Sequence, residues 1–412
     1  MVEAIAPGAS VLLHESLPEK DGRGAGSLLF ERPRDVITCR SAYDIEEAFA
    51  AANRASAAGY WLAGGFAYEL GYLLESRLAS LAGVIASGDH STPLFQLGVF
   101  EAPQRLSPAD ADALVADRAE IGLGAATVDT HTENLHYGEA RDDYVAKLAR
   151  LRDYITAGDI YQANFTFPLR FPWPANAWTL YGRLAAHQRV CYGAVLDLPD
   201  MRAASLSPEL FFRKRGDAIE SHPMKGTLRR GRTPEEDARL VDELRRDGKS
   251  RAENLMIVDL IRNDLGRIAR VGGVSVDGLF DVETYETLHQ MVSTVRATAR
   301  ADLSLAEVLR HIFPCGSVTG APKIRAMEII AELETEPRGV YTGAIGYVSP
   351  DRDMCFSVPI RTAVLEHDGM ARLGIGSGVV FDSDPEAEYE ECLLKAQFAQ
   401  RALTPPATPD PA

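Results

Sequence analysis

Three β-prone runs near the C-terminus constrain this chain most. They are VYTGAIGYVS (340–349), DMCFSVPIRTAVLEH (353–367) and MARLGIGSGVVF (370–381), joined by the turns PDRD and DG. Parallel strands need a crossover of a dozen or more residues, and these turns supply only hairpins. The sheet they form is therefore antiparallel. Helical patterns flank it at 251–267, 322–334 and 385–401, which makes the chain an α+β protein. A further helix carries Tyr144, Leu148, Leu151 and Ile155 on one face, with Gly158 placed to close it and the β-prone run IYQANFTFPLRF behind.

Residues 1–130 mix short apolar runs with Gly/Ala-rich joints, and a polar stretch at 125–139 separates them from the clearer pattern of 131–402. A boundary is expected near 130, and the Pro/Ala-rich end, 403–412, reads as a disordered tail. With 43 basic and 59 acidic residues the net charge is −16. That balance argues against nucleic acid and anionic membrane surfaces as partners, and it requires a local positive site if the substrate is an anion. The five cysteines (39, 191, 315, 355 and 392) are scattered, without metal-binding or redox spacing, and read as reduced thiols of a cytoplasmic protein. No targeting or membrane segment is visible.

Several segments carry residues suited to chemistry. CGSVTGAPK (315–323) puts small and hydroxyl residues before a helix with Pro322 in its first turn. Such a helix start offers N–H groups to an anion, supplemented by Ser317, Thr319 and Lys323, or is an ordinary capped helix. GIGSG (374–378) either lets a ligand approach backbone or marks a bulge. In SDPEAEYEECLLK, Glu388 and Glu391 share one helix face, which is either a solvated face or a cation site. Glu253, Asp259, Asn263 and Asp264 sit in RAENLMIVDLIRNDLGR, apolar enough that most of the helix is expected to be buried. Carboxylates from two helices, without histidine or thiolate, suit a hard ion such as Mg²⁺. HPMKGTLRRG (222–231) presents Lys225 on a loop; burial beside Arg229 and Arg230 would lower its pKa toward a nucleophilic amine, whereas a lone loop lysine is ordinarily a solvated charge.

In order along residues 140–402, the motifs GDIYQANF, SLSPELFF, PMKGT, RAENLMIVDLIRNDLGR, GSVTGAPKIRAMEII, YTGAIGY, PIRTAV and GSGVVFDSDPEAEYEE resemble the chorismate-utilising enzymes, and within them the branch that forms aminodeoxychorismate. The resemblance implies two large, mostly antiparallel sheets facing each other with helices outside. It implies conversion of chorismate and ammonia to 4-amino-4-deoxychorismate for p-aminobenzoate and folate synthesis. Lys225 matches the covalent nucleophile and Glu209 the general acid/base. Gln162 stands where water-activating members carry lysine. Glu253 and Glu391, with Glu388 close by, match Mg²⁺ ligands; Thr319, Gly320, Lys323, Tyr341, Arg361 and the backbone of Gly374, Gly376 and Gly378 match carboxylate-binding elements. A separate glutamine amidotransferase subunit is the implied source of ammonia, since none of the cysteines lies in a G-x-C-x-G turn. The family often has a histidine where this chain has Gln290, with His289 one residue earlier, which argues against elimination of pyruvate. Anthranilate synthesis, which Lys225 argues against, and a non-catalytic carboxylate-binding protein on the same fold are the alternatives. LLHES (12–16) is too loose a match to assign a tryptophan pocket.

Overall fold

The computed structural model describes residues 8–19, 22, 24–81, 92–123, 134–285, 288–300 and 302–403. The expected boundary near 130 and all of the C-terminal tail but Leu403 lie outside the described residues. Two ten-stranded sheets dominate, and every strand pair in them is antiparallel. The first runs in the order Gly320–Ala321, Gln162–Pro172, Met370–Val379, Thr362–Leu365, Met201–Ser207, Tyr192–Leu198, Ser10–His14, Ser27–Glu31 and Gln104–Leu106, with His136–Tyr137 also against Gln162–Pro172. The second runs Met224–Arg229, Leu288–Ala299, Ala218–Ser221, Leu210–Arg215, Met354–Ser357, Ala344–Val348, Trp61–Phe66, Phe95–Phe100 and Asp35–Cys39, with Ala269–Thr284 also against Leu288–Ala299. Strands from before residue 130 thus form one end of each sheet, continuous with the strands that follow.

The sheets pack face to face. Val11, Leu28, Leu196 and Met201 of the first meet Ala63, Phe100 and Ile345 of the second in one buried cluster. The contact is close at Gly65, where a β-carbon would lie 2.9 Å from Met201 Sδ. Helices cover the outer faces: Arg141–Ala157, Ala177–Ala185, Lys323–Leu333 and Pro385–Leu403 on the first sheet, and Ile45–Ala57, Gly248–Gly266 and Leu305–Ile312 on the second. A central strand is therefore buried on both sides, which is why Tyr192–Leu198 is apolar almost throughout rather than alternating.

Both short turns close hairpins, as expected, but in different sheets. PDRD joins Ala344–Val348 to Met354–Ser357 in the second sheet, and the Asp368–Gly369 turn joins Thr362–Leu365 to Met370–Val379 in the first. The run 353–367, continuous in sequence, is consequently split, and Val358–Arg361 carry the chain from one sheet to the other. Pro208–Glu209 make a second crossing between Met201–Ser207 and Leu210–Arg215. The two crossings are bonded side by side: Val358 N–H donates to Glu209 O (3.1 Å), Leu206 N–H to Arg361 O (3.1 Å), and Ser207 Oγ–H to Val358 O (2.5 Å).

Other expectations need correction. The Gly248–Gly266 helix is amphipathic rather than largely buried: Ile257, Val258, Ile261, Asp264 and Leu265 face inward, while Leu255, Asp259, Arg262 and Asn263 are exposed. The GIGSG strand has no bulge, pairing in unbroken register with Ala163–Pro172. Lys225 lies on a strand, not a loop.

Candidate functional site

The site forms beside the sheet crossings. Gln162 starts the strand Gln162–Pro172, one strand in from the edge of the first sheet; Gly378 is the last residue but one of the neighbouring strand; and Lys225 projects from Met224–Arg229 at the end of the second. A β-carbon at Gly378 would stand 2.9 Å from Gln162 Nε2 and 3.6 Å from Lys225 Nζ, so this glycine leaves the room the amine and amide occupy. Glu209 lies on the Pro208–Glu209 crossing and Arg361 on the Val358–Arg361 crossing, placing an acid and a guanidinium on adjacent backbone segments. Arg361 adopts φ of +52°, a left-handed conformation uncommon for a long side chain. That places it off the strand where the sequence had put it, between the sheets.

Burial sets the electrostatics. Glu209 is 5% exposed, and burial pushes its carboxyl up to about 7, with a hydrogen bond from Ser317 and the Lys225 charge offsetting part of the rise. Its Oε1 is buried without a hydrogen-bond partner. Burial likewise holds the Lys225 amine below its usual value, against the pull of Glu209, Glu253 and Glu391 and with Lys395 adding to the depression. Arg229 and Arg230, expected to do this, pair instead with Glu236 and Asp237. Desolvation also lowers Arg361, and among the described residues no carboxylate pairs with it. Gln162 is buried, with Oε1 unpartnered. An amine, a carboxyl that titrates near neutrality and an open amide therefore lie together, with Arg361 on the neighbouring crossing, an arrangement suited to nucleophilic attack with proton transfer.

The carboxylates of two helices face this space. Glu253, half-buried, is raised by burial and, after the opposing influence of Lys225 and Lys249, by Glu388 and Glu391. Lys249 Nζ lies 3.9 Å from Glu253 Oε1. Glu391 is held by Lys395 Nζ (2.6 Å), and Glu388 accepts from Ser383 Oγ–H (2.7 Å). Among the described residues no ready-made cluster of metal ligands exists. The donor set nonetheless fits a hard divalent ion: all donors are carboxylate oxygens, and their mutual repulsion is what a cation would relieve.

The structure distributes the remaining sequence-derived residues unevenly. Thr319 and Gly320 stand beside Gln162, with Gly320 paired to Ala163 and Ala321 to Gln162. Gly320 has φ of +150°, and a β-carbon there would lie 2.3 Å from Gln162 O. Thr319 Oγ1–H donates to Cys315 O (2.6 Å). Lys323 is not free to anchor a ligand, because its ammonium donates to Asp264 (2.5 Å) and to Ile312 O (2.8 Å). This pair also accounts for the buried Asp264. Gly374 accommodates the Tyr341 ring, 2.1 Å from where its β-carbon would be, and Gly376 sits against Phe165 O. One nearby residue, Lys395, escaped the sequence reading. Lys395 donates to Gly376 O (2.9 Å) and pairs with Glu391, a contact its i,i+4 spacing could have signalled. Gln290 bonds the strand carrying Lys225, whereas His289 points away, to Asp237 (2.9 Å) and Thr284 (3.0 Å), and is fully buried.

Comparison with known proteins follows the same lines. A family described as chorismate binding enzyme matches residues 25–401. The chain is 48% identical over 264 residues to the aminodeoxychorismate synthase of Streptomyces griseus, covering 64% of this chain and 36% of that protein. It is 38% identical over 335 residues to aminodeoxychorismate synthase component 1 of Klebsiella aerogenes, covering 80% and 74%. The chain thus spans little more than a third of the Streptomyces relative. The fold superposes on anthranilate synthase component I from Streptococcus pneumoniae with a TM-score of 0.71 at 24% identity, covering 97% and 94%.

Proposed function

Because the chain belongs to the chorismate binding enzyme family, we propose that it converts chorismate and ammonia to 4-amino-4-deoxychorismate and water, with Lys225 as covalent nucleophile and Glu209 as acid/base. The observation that carries this reading is the pairing, in one desolvated space, of an amine whose pKa burial depresses with a carboxyl raised to about 7. Burial favours the uncharged form of the amine and, near neutral pH, the protonated carboxyl, the two forms the reaction needs. The Lys225 amine attacks ring carbon C2, and the C4 hydroxyl departs with the Glu209 proton as water. Ammonia then bonds to C4, the bond from C2 to Lys225 breaks, and proton return regenerates both groups. Gln162, having no ionisable group, cannot act as a base for water in the way a lysine there would, and this favours the amine nucleophile.

Arg361 supplies the positive charge that a chain of net charge −16 needs to hold a dianion. Thr319, the Gly320 amide and the backbone of the Gly374–Gly378 strand add polar contacts, with Tyr341 beside them. Lys323 contributes indirectly, fixing the start of the Lys323–Leu333 helix through Asp264. Glu253, Glu388 and Glu391 would hold Mg²⁺, which when bound neutralises substrate carboxylate charge.

Ammonia would come from a separate glutamine amidotransferase subunit. The Klebsiella relative is named as a component 1. In this chain burial raises the thiols of Cys39 and Cys315 to about 12, Cys392 to about 11, and Cys355 above its usual value, the opposite of an activated thiolate. The test is product analysis by mass spectrometry from chorismate, Mg²⁺ and either ammonium or glutamine. Aminodeoxychorismate from ammonium alone is expected; anthranilate and pyruvate would support the other branch, and sustained turnover of glutamine would overturn the division of labour.

A further inference from the structure

The strand that carries Lys225 is irregular at that residue. Met224 pairs with Val292 and Thr227 with Gln290, so Lys225 and Gly226 together oppose the single residue Met291. This two-against-one arrangement is a β-bulge, a device that redirects a side chain relative to a regular ladder. Gly226 takes φ of +79°, and a β-carbon there would come within 2.6 Å of Ser250 in the helix that bears Glu253. Only glycine fits. The bulge is tied from the neighbouring strand by one side chain: Gln290 Nε2–H donates to Gly226 O (2.8 Å), and Gln290 Oε1 accepts from Thr227 Oγ1–H (2.9 Å). Both ends of the amide are thus engaged by the two residues that follow Lys225.

We propose that Gln290 is a positioning residue, whose amide locks the Lys225–Gly226 bulge and so aims the Lys225 amine across the sheet interface at Gln162 and Gly378. The proposal rests on the assignment of Lys225 as nucleophile. The amide supplies a donor and an acceptor together: leucine keeps the bulk and loses both bonds, and glutamate keeps the acceptor but sets an oxygen against Gly226 O. His289 cannot substitute, because it faces the opposite side of the strand, toward Asp237.

The test compares Gln290→Leu, Gln290→Glu, Thr227→Val and Thr227→Ser with wild type and Lys225→Ala. Each is assayed for kcat and chorismate KM over a pH series at saturating ammonium, and for thermal midpoint. Gln290→Leu and Gln290→Glu are expected to lower kcat by roughly 10- to 10²-fold, the range for a misplaced reacting group, with KM changed less than about twofold. The amine-dependent limb of the pH profile should move to higher pH, because a displaced amine regains solvent. Thr227→Val, at an exposed position, should give a smaller loss of the same kind that Thr227→Ser restores. Unchanged kcat and pH limb in Gln290→Leu, with Lys225→Ala inactive, would overturn the positioning role alone. Near-wild-type turnover in Lys225→Ala would overturn the nucleophile assignment and this proposal with it. Should Gln290→Leu lower the thermal midpoint strongly, the Thr227 pair decides: equal kcat in its two variants refutes the proposal.

Discussion

Replacing Glu209 with glutamine tests the electrostatic premise independently of catalysis. In the folded protein the carboxyl titrates near 7, mainly because burial disfavours its charged form, whereas in the unfolded chain it titrates near its ordinary value of 4.5. A raised folded pKa means that the unfolded state gives up its proton first. The penalty is absent below pH 4.5, grows between 4.5 and about 7, and is constant above. Its size is 7 − 4.5, or 2.5 pKa units at ~1.36 kcal/mol each, about 3 kcal/mol. For 412 residues at ~2.1 cal/mol/K each, this amounts to about 4 °C in thermal midpoint. Glutamine has nearly the same shape and never ionises. Unfolding followed by circular dichroism from pH 4 to 8.5 should therefore show the Glu209→Gln midpoint rising relative to wild type by about this much between pH 4.5 and 7, then holding level. Titrations elsewhere cancel in the difference. A pH-independent difference would refute the raised carboxyl, and with it the argument that Glu209 stores a proton at neutral pH.

Lys225→Ala should lower aminodeoxychorismate formation by ~10²-fold or more while leaving the thermal midpoint within a few degrees, as measured by product mass spectrometry and calorimetry. Glu253→Gln should raise the Mg²⁺ concentration for half-maximal activity and the chorismate KM, and full wild-type activity in excess chelator would contradict a metal role. Arg361→Gln should raise chorismate KM by roughly 10- to 10²-fold, as expected for a lost charge-assisted contact, and unchanged KM would remove Arg361 from the substrate site. Activity with ammonium should fall toward acid pH as the Lys225 amine and ammonia take up protons, and fall again above about 7 as Glu209 loses its own.

The antiparallel order was legible because a two-residue turn leaves no room for any other connection. The division into two sheets was not read from composition, since the run 353–367 is β-prone along its length and only Pro359 and the left-handed Arg361 mark where it leaves one sheet for the other. The strand Ala269–Thr284 was equally hidden: most of it is half-buried or exposed, with no apolar alternation to announce it. At the candidate site, Lys225, Glu209, Gln162 and Glu253 were singled out from motifs, and the structure brings the other three close to Lys225. Pairings were harder to read. Nothing in the sequence joins Lys323 to Asp264, or the Tyr341 ring to Gly374, because those partners are brought together only by the packed sheets and helices. Lys225 was assigned to a loop for a related reason, since a bulge with a left-handed glycine interrupts strand patterning as a turn does.

The most direct measurement is peptide-resolved mass spectrometry of wild-type protein mixed with chorismate and Mg²⁺, without ammonia, and quenched in acid. The account predicts a covalent adduct of chorismate less one water, confined to the peptide containing Lys225, that disappears when ammonium is added before the quench. Aminodeoxychorismate formation at full rate by protein that forms no such adduct, together with an active Lys225→Ala variant, would contradict it.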